Sequence, residues 1–518
     1  MFAVAGAVWA LRAWTPLGDW AAAELVVRHF SRHLPLSGPY SGTRGYNHPL
    51  PLVYAIQWLP YHLLGQRSAA GLATTVWWNG SWIAALVWLL NRHKAPWLAV
   101  VCTSMFALMA AFGDEAVLLK PWNPSLALIP AVVMIFVGWR VALGSRRLLP
   151  VLAGLGVWCS GAHLGFVPLV IVVAGGATLC LLITTVRHDG RAGLSRLVRP
   201  LLAAVAVAAI LCTPMAVDLL TNGADSNPTH IVERGREPGA TPVPPGQAIK
   251  VLQAELAIPP AWATARIPYD HLMVEPPGQF PWLGLVGLLA AIAARRRRAH
   301  DELVGLGLSL AGLLVATASL ANLDAFGLQS WYLYPSDAAA GAFWAFVLWS
   351  VGCSLNSAYR AREPATWSTG TARWARSWVP PIACVVASLL VLPSLHLPSY
   401  EAGIAKPVSK LAAGLEGQLE PGENLILDGP VEVDGYYTQA LALQLDRAGF
   451  DIRVPDEDVY NFGPTMRAPR DWRARTLVLT LSDGPAPPPR PGAERLVEVG
   501  ITNLLFNKVD HASVWELR

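Results

Sequence analysis

Apolar runs recur along the first 396 positions of this chain, at roughly 2–14, 70–90, 96–112, 124–143, 147–160, 165–186, 200–220, 280–294, 303–321, 336–356 and 379–395. A helix needs about 20 apolar residues to cross a bilayer, because every backbone polar group inside must be satisfied within the segment. Eleven runs of this kind do not fit inside one water-soluble core. Composition agrees: 53% of the 518 residues are hydrophobic and 14% charged, with a mean hydropathy of +0.40, whereas soluble domains carry about 25% charged residues. The reading is an α-helical polytopic membrane protein with about eleven transmembrane helices, multi-pass in the plasma membrane. The first run is short for a span, so the natural start is expected a few residues upstream.

The formal net charge of +4 matters through where it sits. Basic clusters occur at Arg92-His93-Lys94, Arg140 with Arg146-Arg147, Arg187 to Arg199, Arg295 to Arg298 and Arg360 to Arg376. Cytoplasmic loops carry the excess of Lys and Arg. With eleven spans and a cytoplasmic N-terminus, all five clusters lie inside. The loops at 15–69, 113–123, 221–279 and 322–335 then lie outside, with everything after 396. Residues 51–65 are expected as an outer juxtamembrane or re-entrant helix, since counting them as a span would throw Arg92-His93-Lys94 outside.

Two domains are expected, a membrane domain over 1–396 and a small extracytoplasmic α/β domain over 397–518. In the second, Leu425 to Gly429 reads as strand and turn, Tyr436 to Ala448 as a helix stopped by Gly449, and Phe450–Val454 and Thr476–Leu481 as strands. A short amphipathic helix is expected at 247–256. The six cysteines all fall in apolar segments and read as small buried hydrophobes, with no disulfide or metal framework. No phosphate-binding glycine loop, dinucleotide fingerprint, zinc spacing or nucleophile elbow is present, which argues against a cytosolic nucleotide-driven enzyme, and nothing points to nucleic acid.

The polar first loop, 16–50, carries the chemistry. It opens with Gly18-Asp19-Trp20-Ala-Ala-Ala-Glu24 and ends in Arg44-Gly45-Tyr46-Asn47-His48-Pro49. Asp19 stands just past the first apolar run, where a carboxylate can accept the proton of an attacking hydroxyl. It also suits a helix N-cap ahead of a helix-forming run. Glu24, Arg28 and Arg32 recur at i, i+4, i+8 and would share one helix face, as a solvated ion-pair ladder or as a phosphate receptor. Arg44 is a candidate phosphate ligand, and Asn47 and His48 are candidate sugar or phosphate contacts. The second outer loop brings Asp114, Glu115 and Lys120 to the surface and closes on Pro121-Trp122-Asn123-Pro124. Acids from two loops facing one cavity could share base and metal-binding roles. His163, between two apolar runs on the outer side, is a further site candidate or a packed helix-end residue. Trp331-Tyr332-Leu-Tyr334 suits a lipid groove or an aromatic belt.

Taken together, these residues resemble the GT-C superfamily of membrane glycosyltransferases, which includes protein O-mannosyltransferases, aminoarabinose transferases and arabinofuranosyltransferases. The likeness covers the first ~190 residues best. It is nearest to actinobacterial members carrying Gly-Asp-x-Ala-x-x-Glu, Gly-Pro-Tyr-Ser, Asn-His-Pro and Pro-Trp-Asn-Pro, here at Gly18 to Glu24, Gly38 to Ser41, Asn47 to Pro49 and Pro121 to Pro124. The chain departs from that pattern at Leu50, where glycine is expected, and at Lys120, where an acid is expected. The resemblance implies transfer of a sugar from a polyprenyl-phosphate donor to a cell-envelope glycan or glycolipid acceptor on the outer face. It implies Asp19 as the base or the acid orienting the acceptor, assisted by Asp114 and Glu115. Glu24, Asn47, His48, Trp122, Asn123 and His163 would contact substrate, and Arg44 and Lys120 would steady the departing phosphate. Some members bind a divalent cation and others do not, so no cofactor is fixed. The competing reading is a transporter or flippase of lipid-linked sugars, which needs charged or broken helices near the bilayer midplane and an internal repeat. Neither stands out. A non-catalytic scaffold of the same fold would follow from an Asp19 without a cavity.

Overall fold

The computed structural model describes residues 2–41, 45–112, 117–235, 243–263, 278–322, 329–360, 380, 382–387, 399–429, 435–456, 458–463, 466–469, 471–482, 489, 491–503 and 508–517. Helices follow the apolar runs. In chain order they are α1 (Phe2–Ala10), α2 (Gly18–His29), a two-stranded ribbon of β1 (Tyr40–Ser41) and β2 (Tyr46–Asn47), α3 (Leu52–Leu63), α4 (Ala69–Arg92), α5 (Pro96–Phe112), α6 (Asn123–Ala142) and α7 (Leu149–Ala162). The long helix α8 (Leu164–Asp189) follows, then α9 (Ser195–Leu211), α10 (Thr213–Asn222), α11 (Asn227–Arg234), α12 (Pro245–Glu255), α13 (Trp282–Arg296), α14 (His300–Ser319) and α15 (Tyr334–Arg360).

Among the described residues, five helices are long and apolar enough to cross a membrane unaided, at 123–142, 164–189, 191–211, 300–319 and 331–358. The other expected runs up to 356 are also helical, but they are shorter or carry polar residues such as Thr74, Thr75 and Asn79 in α4. Of the eleventh run, 379–395, only 380 and 382–387 are described. The helix expected at 247–256 is α12, and residues 51–65 fold as the short helix α3.

The bundle is built around α6, 94% of whose apolar window is buried. Hydroxyls in this dry interior bond back to their own helix: Thr74 to Ala70 O, Thr103 to Ala99 O, Ser309 to Gly305 O and Thr317 to Leu313 O, which satisfies them without water. In contrast, α8 is 28% and the α9 stretch 6% buried. Leu179, Leu202, Val205 and Ile210 project from them. Apolar helices this exposed belong in lipid. Cys180 lies on that exposed surface, so the expectation of six buried cysteines fails there; Cys102, Cys159 and Cys384 are buried, and all six thiols are free.

Two contacts fix the bundle's polarity. Asn123 Nδ2, at the start of α6, donates to Ala162 O at the end of α7, at 2.9 Å. At the opposite end, Trp139 Nε1 donates to Asp301 O in the first turn of α14, at 2.8 Å. Basic residues gather at this second end: His93 lies in the field of Arg140 and Arg92, Arg146 shares a cavity with Arg140 and Asp301, and Arg297 pairs with Glu302.

The C-terminal part comprises α16 (Ser399–Glu416), β3 (Asn424–Asp428), α17 (Gly435–Ala448), β4 (Asp451–Arg453), α18 (Val459–Phe462), β5 (Arg475–Ser482), β6 (Glu494–Asn503) and β7 (Lys508–Leu517). Its sheet runs β4-β3-β5-β7-β6. β3 is parallel to β4 and β5, while β5–β7 and β7–β6 are antiparallel. Leu425, Leu427, Leu477 and Leu479 alternate into a core shared with α17. Gly449, at φ +97°, ends α17 in the left-handed conformation that glycine adopts most cheaply. β3, β4 and β5 fall where the sequence expects strands, and their parallel pairing is added by the structure. α16, β6 and β7 were not expected, since polar residues interrupt their apolar positions and no continuous apolar run announces them.

A candidate active site at the seam of the two domains

α2 belongs to two cores at once. Leu17, Ala21 and Leu25, spaced by one helical turn, pack into the C-terminal core, while Val26 and Val27 pack into the membrane bundle. Charged groups then fix the docking. Arg28 Nε donates to Asp446 at 2.6 Å and His29 Nε2 lies 2.9 Å from the same carboxylate. Arg447 pairs with Glu24 at 2.6 Å. Tyr61 O–H donates to Glu24 at 2.9 Å, and Arg28 donates to the Tyr61 oxygen at 3.1 Å. Burial pushes the Glu24 carboxyl up, with Arg447, Ser68 and Tyr61 offsetting part of the effect. Asp446 is also buried, yet His29 and Arg28 hold it below its ordinary value. The expected solvated ladder of Glu24, Arg28 and Arg32 is therefore corrected. Glu24 and Arg28 are spent on the seam, because α17 supplies complementary charges to that face, and Glu24 is not on the cavity wall.

Asp19 does not cap α2. Leu17 is the N-cap residue and makes no side-chain cap bond. Gly18, at φ +50°, turns the chain into the helix and leaves Asp19 in the first turn. Its carboxylate opens into a cavity of about 50 Å³, lined by Ala22, Ala23 and Val26 of α2, by the loop 35–40, and by Asn47, Tyr54, Phe462 and Gly463. Asp19 is exposed at the cavity mouth, yet protein atoms crowd its carboxyl on the inner side. The resulting partial desolvation raises its pKa, and a hydrogen bond from the Trp122 side chain lowers it in part. Tyr54 is held in its neutral form by burial and by the neighbouring Asp19 charge. Trp122, immediately before α6, also meets Trp331 edge to face at 5.0 Å.

The motifs of the first loop form the cavity's far wall. Gly38-Pro39-Tyr40-Ser41 pairs antiparallel with Tyr46-Asn47-His48: Tyr40 stands opposite Asn47, Gly38 N–H donates to His48 O, and His48 N–H donates to Pro39 O, both at 2.8 Å. Asn47 Nδ2 donates to Ser37 Oγ, and its backbone is bracketed by the Asn227 side chain. The ribbon docks on α7, where Leu50 N–H donates to Gly161 O at 3.2 Å. A Cβ at Gly161 would fall 2.5 Å from Leu50 Cδ1, so only glycine permits this approach. The docking brings His48 and His163 together, ring centroids 4.6 Å apart. Leu164 N–H donates to His48 Nδ1 and Gly165 N–H to His163 Nδ1. Those bonds require an unprotonated Nδ1 and leave Nε2–H as a donor on each ring. Burial holds both neutral: it lowers His48 well below its ordinary value and takes His163 down to about 4.

Asp19, Asn47, His48, Trp122, Asn123 and His163 thus gather at one end of the bundle. Asn123 is committed to joining α6 to α7, and Lys120 is buried two residues before Trp122. Arg44, Asp114 and Glu115 lie outside the described residues. Among the described residues, no three His, Cys, Asp or Glu side chains cluster to hold a metal ion. Sequence reading missed Tyr54, hidden in an apolar helix, and Phe462 and Gly463, which come more than 400 residues after Asp19 and carry no local signal of a site.

The fold resembles that of ArnT from Cupriavidus metallidurans. The ArnT crystal structure bound to undecaprenyl phosphate superposes with a TM-score of 0.55 at 15% sequence identity, covering 98% of this chain and 96% of that one. The apo ArnT structure aligns with a TM-score of 0.47 at 16% identity over the same shares. No protein-family model matches the chain, and no curated protein matches it in sequence. At this identity the likeness to ArnT is one of fold: a helical membrane bundle followed by a small sheet domain.

Proposed function

We propose that this chain is a glycosyltransferase that moves a sugar from a polyprenyl-phosphate donor to a hydroxyl of a cell-envelope glycan or glycolipid, on the outer face of the plasma membrane. The observation that carries the proposal is Asp19: a carboxylate of raised pKa, open to a cavity at the mouth of a lipid-embedded bundle. The ArnT fold, seen there with undecaprenyl phosphate, supports the choice of donor. The acceptor hydroxyl attacks the anomeric carbon, its proton passes to Asp19, and the bond from that carbon to the phosphate oxygen breaks, with its electron pair leaving on the polyprenyl phosphate. A base whose pKa approaches the working pH accepts such a proton more readily. The Trp122 side chain orients the carboxylate. Lys120 and Arg44 are proposed to receive the growing phosphate charge, Asn47 and the Nε2–H groups of His48 and His163 to bind sugar hydroxyls, and Asp114 and Glu115 to assist from the second loop. The N-terminus is proposed as cytoplasmic and residues 397–518 as an extracytoplasmic domain.

The test is transfer from a panel of radiolabelled polyprenyl-phosphate sugars to membrane acceptors, at matched expression. Asp19→Asn and Asp19→Ala should each lose about 10²- to 10⁴-fold in rate, the usual contribution of a positioned base. Transfer surviving both substitutions would move the base elsewhere, and no transfer from any donor would overturn the proposal.

A further inference from the structure

A second cavity opens at the opposite end of the bundle. Arg140 is 18 residues beyond Trp122, the residue that precedes α6, which is about 27 Å along the helix at 1.5 Å per residue. The cavity, of about 420 Å³, is lined by Arg140, Arg146, His188, His300, Asp189 and Asp301, with Thr184 and Thr185 at its side. Four elements build it: the last turn of α6 and the turn after it, the end of α8, the beginning of α9, and the beginning of α14. Its charges are unbalanced. Asp189 pairs with Arg196 at 3.2 Å, and Asp301 lies in the field of Arg140. Arg146 has no ion pair among the described residues, and the buried Arg140 Nε–H has no hydrogen-bond partner among them. One guanidinium and one buried N–H therefore remain to be satisfied inside a concave polar site.

The walls say what reaches it. α8 and α9 enter the cavity through Leu181 and Leu197, and within two turns they present Leu179, Ile183, Val198 and Leu202 outward, between 40% and 63% exposed. An apolar, lipid-facing groove thus runs directly into a cationic pocket. A free anion would use only the pocket, whereas a phospholipid would use both, its phosphodiester on the guanidiniums and its acyl chains along α8 and α9. We infer that this cavity is a binding site for the phosphodiester headgroup of a membrane phospholipid, in the leaflet opposite Asp19. Arg140 and Arg146 are its anion ligands, as basic pockets between membrane helices are for other headgroups. The site holds the junction of α6, α8, α9 and α14 together and is independent of the transfer reaction.

Native mass spectrometry of the delipidated full-length protein in detergent, titrated with phosphatidylglycerol, reads the site directly. Wild type should show one tight lipid. Arg146→Gln, an exposed position that leaves folding alone, should weaken it about fivefold, and Arg140→Gln with Arg146→Gln about 25-fold, at roughly 1 kcal/mol per basic residue. Arg199→Gln, exposed at the same end and outside the cavity, should not change it. Equal binding in wild type and Arg146→Gln overturns the inference. So does displacement of the lipid by millimolar inorganic phosphate, which would make the pocket a site for a soluble anion.

Discussion

Replacing Arg447 by alanine removes the guanidinium that holds Glu24 at 2.6 Å across the domain seam. The two partners are not equally placed: the Glu24 side chain is 7% exposed and that of Arg447 26%. Arg447→Ala therefore strands the buried charge and leaves Tyr61 as its remaining strong donor. Breaking a fully buried pair costs about 3–5 kcal/mol, but this one is partly reached by solvent on the arginine side, so about 2 kcal/mol is expected. Glu24→Gln acts differently. Its amide oxygen still accepts from Tyr61, while Arg447 can rehydrate and keeps its bond to Gln66 O at 3.0 Å, so about 1 kcal/mol or less is expected. In Glu24→Gln with Arg447→Ala no charge is stranded, so the double variant should be less destabilised than the sum of the singles by about 1 kcal/mol. Hydrogen exchange in detergent is the assay. Amides of α2 and α17 that open with the seam should exchange about thirtyfold faster in Arg447→Ala, the factor equivalent to 2 kcal/mol, while α6 amides remain unchanged. If Glu24→Gln proved more damaging than Arg447→Ala, or the two added without coupling, the seam would not be held by a buried carboxylate.

Two further outcomes follow from the site. Asp19 must be ionised to act as base and its pKa is raised, so kcat/KM should rise with pH through a value above the ordinary carboxyl range. Trp122→Phe removes a bond that lowers that pKa and should shift the rise to higher pH; an unmoved profile would refute the contact. Gly161→Ala puts a Cβ into Leu50 and should cost about 1–3 kcal/mol by overpacking, with loss of transfer as His48 leaves His163; adding Leu50→Ala should restore melting temperature and activity together, and failure of that rescue would show that another contact positions the ribbon.

The sequence by itself determined the helical membrane body, because apolar length and spacing are local quantities that a bilayer reads directly. It also determined the positions of most helices, of three strands of the tail, and of the short motifs around Asp19, Asn47-His48 and Pro121 to Pro124. It could not show that Gly38 to Ser41 and Asn47 to Pro49 are two halves of one ribbon, or that His163 lies against His48, since those meetings depend on a close approach at Gly161 that spacing does not encode. Tertiary structure alone decided the fate of Glu24 and Arg28. Their i, i+4 pattern fits a surface ladder until Asp446 and Arg447 arrive from the other end of the chain, and burial then turns a weak surface pairing into the join between two cores. Phe462 and Gly463 reach the Asp19 cavity by the same docking. The C-terminal domain, read from sequence only as a second domain over 397–518, therefore forms one wall of the candidate site, because α2 has apolar residues on two faces and each face needed a different core.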